Sequence, residues 1–323
     1  MKRPVSIVIP ALDDRALLGR ALDTLWSALK DRGESDEVIV VDDSGAGRLA
    51  AWLAADHPRA RAVVNAENLG FARALSAGVE RAHHALVFAM NSDVCPRPGF
   101  LDPLVSAMGD PRVFAAVPRI LLGGREDSIE SVVSVELEGG IARGVQSALE
   151  RPRKDLLAPP WWTRDGVTPF PMGGAFLFQR AVFLELGGFD RAFEPFYLED
   201  MDLGWRAWKA GFECRYVYDA VVEHHHRGTI GAVVPEAVVR AAIERNRLLF
   251  TWKHLDDPAA LEEHVRTLSR RVVEARVLED RAFLTALCLA LEDRVRAGDA
   301  RDPLEGAATW QRIQAASAAR RDF

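Results

Sequence analysis

The sequence predicts an α/β protein, with a mainly parallel sheet flanked by helices and a helical extension at the C-terminus. Short β-branched apolar runs alternate with segments of helical apolar spacing over residues 5–94. Such alternation is typical of a parallel sheet with right-handed crossovers. No glycine occurs between Ala232 and Gly298, and apolar residues there recur at helical spacing, which indicates the extension.

Three pairs of a strand and a helix are predicted at the start of the chain. The run VSIVIPAL at 5–12 is a β-branched strand ended by a proline, and continuous apolar runs of this kind are typical of strands buried on both faces. Further strands are predicted at 36–45, at the start of 60–70, and at 84–94. Helices are predicted at 14–30, 47–57 and 71–82.

Regular patterning weakens between residues 120 and 170, where glycine, proline and charged residues are frequent. We expect a hairpin-like insertion and a mobile loop, in which Trp161 and Trp162 either pack or form a platform for a sugar ring. The pattern returns as a strand and a helix over 172–189 and as a late strand over 213–226. That late strand ends in three histidines.

We expect a boundary between a catalytic domain, residues 1–234, and a helical C-terminal extension, residues 235–323. Asp257-Pro258 is a suitable N-cap and first-turn pair within the extension. A helix predicted from Pro235 to about Lys253 has an apolar stripe that must be covered, and we therefore expect it to dock on the catalytic domain. The stripe contains Val238, Ala242, Leu249 and Trp252.

Charge and cysteine usage exclude several classes of protein. Residues 1–235 carry 26 basic against 32 acidic side chains, and residues 236–323 carry 15 of each. An acidic catalytic half disfavours nucleic acid as the main partner. Cys95, Cys214 and Cys288 form no CxxC pair and are expected to be reduced thiols. Since we find neither a signal peptide nor a membrane-spanning run, we expect a cytoplasmic protein; peripheral membrane contact and homo-oligomers stay open.

Polar residues end several of the predicted strands. Pro10, Asp42, Asp43, Asn91 and Asp93 all fall at carboxyl ends, where ligands bind in sheets of this type. Asp42 and Asp43 fit either hydrogen bonds to a base or ribose, or the capping of a turn and helix. Neither GxGxxG nor a P-loop follows a strand, so a phosphate must be held in another way.

A bound divalent metal ion would hold such a phosphate. Asp93 follows an apolar strand, and carboxylate oxygens suit Mg²⁺ or Mn²⁺. His224, His225 and His226 end the late strand. Because alternation sends neighbouring side chains to opposite faces, the three cannot all be buried. One of them is therefore a candidate metal ligand.

Three carboxylates lie beside aromatic residues in the segment EPFYLEDMDLGWRAW, residues 194–208. Asp202 is four positions before Arg206, so at helical spacing it can cap the helix or pair with that arginine; it is the structural carboxylate. Glu199 and Asp200 are expected to precede the helix, in a loop that aims a side chain into the crevice. Neighbouring aromatic rings would exclude water and raise the pKa of such a carboxyl, which makes it a better proton acceptor.

Seven segments, taken in order, resemble one family: SIVIPALDD, VVDDSG, NLGFARALSAG, NSD, GGAFLFQRAVFLELGGFD, YLEDMDLGWRAWKAGF and HHHRGT. Over residues 4–230 the chain resembles the inverting family 2 glycosyltransferases of the GT-A fold, particularly their rhamnosyltransferase-like branch. The resemblance implies the sheet of a nucleotide-diphospho-sugar transferase and a divalent cation, Mn²⁺ or Mg²⁺, as cofactor.

The resemblance also implies roles for single residues. On the donor side, the nucleoside pocket would be lined by Pro10, Asp13, Asp42 and Asn68. The DXD element, which binds metal and diphosphate, would be Asn91 and Asp93, and the late metal ligand would be His224, with His226 as the second choice. On the acceptor side, Asp200 would be the base and Glu199 would position the acceptor or the base.

Two positions depart from the family pattern. Asn91 puts an amide where the DXD element has its first carboxylate, so Asp93 must do most of the chelation. Asp13 stands where many relatives have asparagine, which adds negative charge beside the nucleotide.

We therefore expect an enzyme that transfers a sugar from a UDP- or dTDP-sugar to a hydroxyl of a saccharide or lipid-linked acceptor, with inversion. One alternative is a sugar-nucleotide-binding or scaffold protein that has lost turnover, as Asn91 suggests. Another is a nucleotidyltransferase, but that class uses a glycine-rich loop directly after the first strand, and PALDDRAL contains no glycine.

Overall fold

The structure is a computed structural model that describes residues 2–146, 163–225, 234–255, 257–297 and 311–313. The expected mobile loop with Trp161 and Trp162, and His226 as the second-choice ligand, lie outside these residues.

The first hundred or so residues form strands and helices in alternation. The strands are β1 (Val5–Ala11), β2 (Glu37–Asp42), β3 (Ala60–Val64), β4 (Leu86–Met90) and β5 (Val94–Pro96). The helices are α1 (Arg15–Leu29), α2 (Arg48–Asp56), α3 (Phe71–Glu80) and α4 (Leu101–Ala107). The predicted elements of this half are confirmed; α4 and β5 were not predicted.

The second half begins with strands and ends with helices. The strands are β6 (Val113–Leu122), β7 (Val133–Glu138), β8 (Ile141–Gln146), β9 (Gly166–Thr168), β10 (Ala175–Gln179) and β11 (Glu213–His224). The helices are α5 (Arg180–Glu185), α6 (Glu199–Lys209), α7 (Glu236–His254), α8 (Pro258–Val277) and α9 (Arg281–Ala297). The hairpin-like insertion is confirmed as β7 and β8, which pair antiparallel.

The main sheet has the strand order β3-β2-β1-β4-β10-β6-β11-β5, and β9 also pairs with β11. Strands β1 to β4 are parallel, as the alternating pattern predicts. The rest of the sheet is mixed, because β10 runs antiparallel to both β4 and β6 while β6 and β11 are parallel. Since β10 follows an insertion rather than a crossover helix, nothing forces it to run parallel to its neighbours.

The described residues form two large apolar cores and a smaller one around Leu121, Ile129, Val132 and Tyr216. The first surrounds the sheet and includes the buried faces of β1, β2, β4, β6 and β10. The second lies between the β7–β8 hairpin, α6 and the C-terminal helices. It contains Val133, Val135, Phe170, Phe193, Met201, Trp205, Trp208, Leu248, Leu249, Phe250 and Ala290. The tryptophans beside the acidic segment are therefore core residues.

Docking of the first C-terminal helix on the preceding residues is confirmed. Helix α7 supplies Leu248, Leu249 and Phe250 to the second core, and the hydroxyl of Thr251 accepts a hydrogen bond from the backbone N–H of Ala142 in β8. The predicted stripe is wrong at Val238, which is 51% exposed. The buried residues of α7 lie in its C-terminal half, between Asn246 and His254.

Among the described residues, no helix combines the length and the apolar character needed to cross a membrane. The three cysteines are free thiols; Cys95 and Cys214 are buried and Cys288 is exposed.

Candidate functional site

Loops after the first three strands meet at one edge of the sheet. Asp13, in the loop after β1, forms an ion pair of 2.9 Å with Arg48 at the start of α2. Gly45, in the loop after β2, approaches the backbone of Glu67 in the loop after β3. Parallel pairing of β1, β2 and β3 brings these loops together, so the expected nucleoside-binding residues share one edge. Pro10 lies near the end of β1, and Asn68 is exposed in the third loop.

Two aspartates at the end of β2, Asp42 within the strand and Asp43 directly after it, organise these loops. Asp42 is fully buried, and its oxygens accept hydrogen bonds from the N–H groups of Ser44 and Leu49. Asp43 accepts from the side chain of Asn65 and from the backbone of Leu69 and Gly70. These are the bonds of turn and helix capping, the second of the two interpretations that the sequence allows. A nucleoside contact by Asp42 stays a prediction.

Asp93 and His224 lie side by side. Strand β11 pairs with β5 in a register that places His224 opposite Val94, the residue after Asp93. The Nε2 atom of His224 is 3.1 Å from Oδ1 of Asp93. His225 turns away and pairs with Glu223 at 3.3 Å. Of the two described histidines, His224 is therefore the one beside Asp93.

Glu130 completes this cluster, although it was not among the site residues predicted from the sequence. Its Oε2 atom is 2.6 Å from Nδ1 of His224, and the side chain is buried. The backbone N–H of Glu130 donates to the carbonyl of Ile120 in β6, which places the residue beside the end of β11. Glu130 lies 94 positions from His224 in the chain, inside the weakly patterned region, so no local motif could have found it.

The residues present fit a divalent cation. A histidine ligand usually donates its second ring N–H to a carboxylate, which fixes the tautomer and orients the ring; Glu130 holds Nδ1 in this way and leaves Nε2 facing Asp93. In the absence of metal, burial lowers the pKa of His224, but the hydrogen bonds of Asp93 and Glu130 outweigh it and raise that pKa to about 9. No group of three or more histidine, cysteine or carboxylate side chains within the described ranges could itself enclose an ion. The remaining ligands would be diphosphate oxygens and water, as Mg²⁺ commonly uses.

A glycine pair joins this cluster to the acidic segment. The N–H of Asn91 donates to the carbonyl of Gly174 at 2.9 Å, and a Cβ at residue 174 would stand 3.7 Å from Cε1 of His224. The N–H of Gly173 donates to Oδ2 of Asp200 at 2.9 Å. Through this turn, the DXD element and the acidic segment come to the same place.

The structure places Glu199 and Asp200 in the first turn of α6, which begins at Glu199; the expectation that both precede the helix is wrong. Backbone N–H groups at a helix start favour carboxylates, and Oδ1 of Asp200 accepts from the N–H of Met201. Burial raises the pKa of Asp200. Burial, and then the charge of Asp200, raise the pKa of Glu199.

Glu199 is buried at the start of α6. The residue is 9% exposed, and its Oε2 atom has no hydrogen-bond partner within the part of the chain that the structure describes. A buried acceptor without a donor is costly. A hydroxyl group of a bound molecule would satisfy it.

Asp202 is structural, as predicted. Its Oδ2 atom pairs with Arg206 at 2.7 Å, and its Oδ1 atom lies 2.6 Å from Lys253 and 2.7 Å from His254 on α7. The side chain is fully buried. It faces the C-terminal helix rather than the crevice, so it is not a candidate base.

Helix α6 is held close to the segment before the glycine pair, and Gly204 permits this approach. Gly204→Ala should lower the free energy of unfolding by about 1–3 kcal/mol, because the added Cβ would stand 2.5 Å from Cβ and 2.6 Å from Cα of Phe170. The matched control is Gly19→Ala in α1, where the new Cβ would meet nothing closer than 3.6 Å. The control should be neutral or stabilising by up to about 1 kcal/mol. Urea unfolding measures both, and equal midpoints would contradict the close approach.

A family model described as Glycosyl transferase family 2 matches residues 6–187, more than half of the chain. The matched range contains the nucleoside-side loops, Asn91, Asp93 and the glycine pair. It ends before Glu199, Asp200 and His224, whose roles stay predictions.

Two curated relatives come from Mycobacterium tuberculosis. A pre-mycofactocin glycosyltransferase is 29% identical over 236 residues, which cover 70% of this chain and 43% of the relative. An N-acetylglucosaminyl-diphospho-decaprenol L-rhamnosyltransferase is 28% identical over 251 residues, which cover 69% of this chain and 78% of the relative. This chain thus spans less than half the length of the first of them.

Two solved structures share the fold. GalNAc-T7 with UDP, GalNAc and Mn²⁺ superposes with a TM-score of 0.60 at 18% identity, covering 79% of this chain and 48% of that one. A mannosyltransferase from Pyrobaculum calidifontis in complex with GDP-Man and Mn²⁺ gives 0.51 at 20% identity, covering 98% and 85%. The GT-A fold expected from the sequence is confirmed.

Proposed function

The chain belongs to glycosyl transferase family 2, and from this premise we propose that it moves a sugar from a UDP- or dTDP-sugar to an acceptor hydroxyl with inversion. The acceptor class that we propose is a saccharide or a lipid-linked saccharide. We place the enzyme in the cytoplasm, with peripheral contact at the membrane when the acceptor is lipid-linked.

One observation carries the proposal: the Gly173–Gly174 turn joins a candidate base to a candidate metal pair. Gly173 binds Asp200, while Gly174 binds the backbone of Asn91 and packs beside His224. Inverting transfer requires a base at the acceptor oxygen, a stabilised leaving group, and in-line placement of the two substrates. This turn brings residues suited to the first two requirements together.

The reaction is a single displacement. The acceptor oxygen forms a bond to the anomeric carbon, the bond from that carbon to the diphosphate oxygen breaks, and the hydroxyl proton passes to Asp200. Asp200 is suited to this role because Gly173 and Met201 hold its two oxygens in place. Glu199 would bind a hydroxyl of the acceptor through its free Oε2.

Residues on the donor side hold the leaving group. Asp93 and His224 would ligate a divalent cation, with Glu130 fixing the ring of His224, and that cation would neutralise charge on the departing diphosphate. Pro10, Asp13 and Asn68 would line the nucleoside pocket from their three loops. Asp42, at the end of β2, would line the same pocket.

A screen of nucleotide sugars by thermal shift tests the proposal. A ligand that binds only the folded state raises the melting temperature by mass action, so UDP- or dTDP-sugars with Mn²⁺ should do so. Turnover is then measured as release of nucleoside diphosphate in the presence of saccharide acceptors. Binding without turnover would favour the sugar-nucleotide-binding protein, and no binding by any nucleotide sugar would refute the proposal.

Asp93→Ala should weaken Mn²⁺-dependent binding of UDP by at least about 10-fold. The physical reason is that the change removes the carboxylate that lies beside Nε2 of His224. Calorimetric titration of UDP with Mn²⁺ and with EDTA measures the effect. Full binding and full activity of the variant in EDTA would contradict the metal assignment.

Two further variants sharpen this test. Asp127→Ala is the matched control, because Asp127 is exposed and pairs with Arg125 on the surface; this variant should bind as the wild type does. Asn91→Asp restores the carboxylate of the DXD element and should leave Mn²⁺ binding equal or tighter. A large loss in Asn91→Asp would give the amide a role of its own.

A further inference from the structure

A buried asparagine on α7 holds the loop that precedes the candidate base. Asn246 is fully buried. Its Nδ2 atom lies 2.9 Å from the carbonyl oxygen of Phe193, 3.0 Å from that of Phe196 and 2.8 Å from that of Tyr197. The two N–H donors of this side chain thus lie within hydrogen-bond distance of three carbonyls of the loop 193–198.

Arg245 supports this arrangement from the other side. Its Nη1 atom donates to Oδ1 of Asn246 at 2.6 Å and to the carbonyl of Glu194 at 3.0 Å. Its Nε atom donates to Asp293 on α9 at 2.8 Å. Both ends of the Asn246 amide are therefore engaged, and the amide orientation is fixed by its partners.

The loop needs such support, because its backbone is unfavourable. Tyr197 and Leu198 have φ angles of +75° and +70°, a left-handed conformation that residues with a Cβ rarely adopt. A strained conformation of this kind persists only when its surroundings determine it. Asn246 binds the carbonyl of Tyr197, at the junction of the two left-handed residues.

The conformation of the loop 193–198 determines how α6 begins, and the first turn of α6 carries the candidate base. The carbonyl of Leu198 accepts the N–H of Asp202 and so starts α6. Glu199 and Asp200 occupy the turn that this bond closes. A change in the path of residues 196–198 would therefore rotate that turn and move Asp200 away from Gly173.

We propose that Asn246 is a positioning residue for transfer: it fixes the left-handed pair Tyr197–Leu198 and thereby sets where the Asp200 carboxylate lies. The inference rests on the proposed function in that Asp200 is the base. It makes the C-terminal extension a part of the acceptor side of the site rather than a separate module.

Amide hydrogen exchange on the full chain tests the inference without any substrate. The N–H of Gly173 donates to Asp200, so its exchange rate reports the position of that carboxylate. In Asn246→Asp, which keeps the size of the side chain but removes its donors, exchange at Gly173 and Met201 should rise by roughly 10-fold or more. Asn246→Ser keeps one donor and should give a smaller rise, which is the readout if Asn246→Asp does not fold.

Thr251→Val is the matched control. Thr251 lies on the same helix, is 1% exposed, and bonds to Ala142 and to Arg247 but not to the loop. This variant should raise exchange near Ala142 and leave Gly173 unchanged. Wild-type exchange at Gly173 in Asn246→Asp and Asn246→Ser would overturn the inference, as would an equal rise at Gly173 in Thr251→Val.

Binding of UDP with Mn²⁺ separates this inference from the proposed function. Because Asn246 acts on the acceptor side, Asn246→Ser should show the same thermal shift with UDP and Mn²⁺ as the wild type. If the wild type shows this shift and Asn246→Ser does not, the inference is overturned, because Asn246 would then act on the donor site. If the wild type shows no shift with UDP, with dTDP or with any nucleotide sugar, the proposed function fails, while the exchange result still decides whether Asn246 positions Asp200.

Discussion

Asp200→Asn should bind the nucleotide-sugar donor as the wild type does but transfer sugar about 10²–10⁴-fold more slowly, the range expected when a general base is lost. Asp200 accepts from Met201 through Oδ1 and from Gly173 through Oδ2, and an asparagine can keep only one of these bonds because it has a single side-chain oxygen. If it keeps the bond from Met201, the first turn of α6 should persist. It has no basic oxygen that could take the acceptor proton. Initial rates of nucleoside diphosphate release, with saturating donor, measure the loss.

The pH dependence of the transfer rate is a second test of Asp200 as the base. Burial raises the pKa of Asp200 above the ordinary aspartate range, and a protonated carboxyl cannot accept a proton. The rate of transfer by the wild type should therefore fall as the pH drops through this raised pKa, at a pH above that of an exposed aspartate. Asp200→Asn should lose this acid limb.

The variant Glu199→Gln tests which of the two carboxylates, Glu199 or Asp200, is the base. It removes the ionisable carboxyl but leaves an oxygen that can accept from an acceptor hydroxyl, so it should weaken acceptor use while transfer continues. If Glu199→Gln is inactive and Asp200→Asn transfers normally, the two roles are reversed.

Asp202→Asn should lower the free energy of unfolding by about 3–5 kcal/mol, the cost of removing one partner from a buried ion pair. Asp202 is fully buried between Arg206, Lys253 and His254. Removing its charge leaves the two cations without their shared buried partner, at the contact between α6 and α7. Urea unfolding at pH 7 measures the difference.

Asp190→Asn is the matched control, since Asp190 binds the same Lys253 at 2.7 Å but is one-third exposed. The asparagine introduced at position 190 can still accept the hydrogen bond from the N–H of Ala192. The control should cost about 1 kcal/mol or less, as exposed pairs do. Equal losses in the two variants would contradict the argument from burial.

The sign of the pH dependence follows from the shifted pKa values of this cluster. Against burial, the bonds to His254, Arg206 and Lys253 hold the pKa of Asp202 far below its ordinary value. The stability it contributes is present above the ordinary aspartate pKa and is lost as the pH falls below it. The difference in the free energy of unfolding between the wild type and Asp202→Asn should therefore become smaller below about pH 4.

His254 acts in the same direction. Burial lowers its pKa to about 4, although Asp202 opposes this. Because the unfolded chain then binds a proton more readily than the folded one, the wild type should lose stability as the pH falls from about 6.5 towards 4.

Much of this molecule follows from its sequence by local rules. Continuous apolar runs identify the central strands of the first half, which are buried on both faces, and an apolar period of 3.6 residues identifies its helices, which bury one face. The pairing of Asp202 with Arg206 is equally local, since one helical turn joins them. The parallel edge, with its polar residues at strand ends, follows from the alternation of strand and helix.

Tertiary structure alone decided how the site is assembled. The register of β11 against β5 selects His224 over His225 as the partner of Asp93. The path of the chain beside β6 brings in Glu130, and the contact between α7 and the loop before α6 brings in Asn246. Local periodicity fixes which face of an element is buried. It does not encode strand register or the packing of distant segments, because these depend on the sum of many weak contacts between residues far apart in the chain.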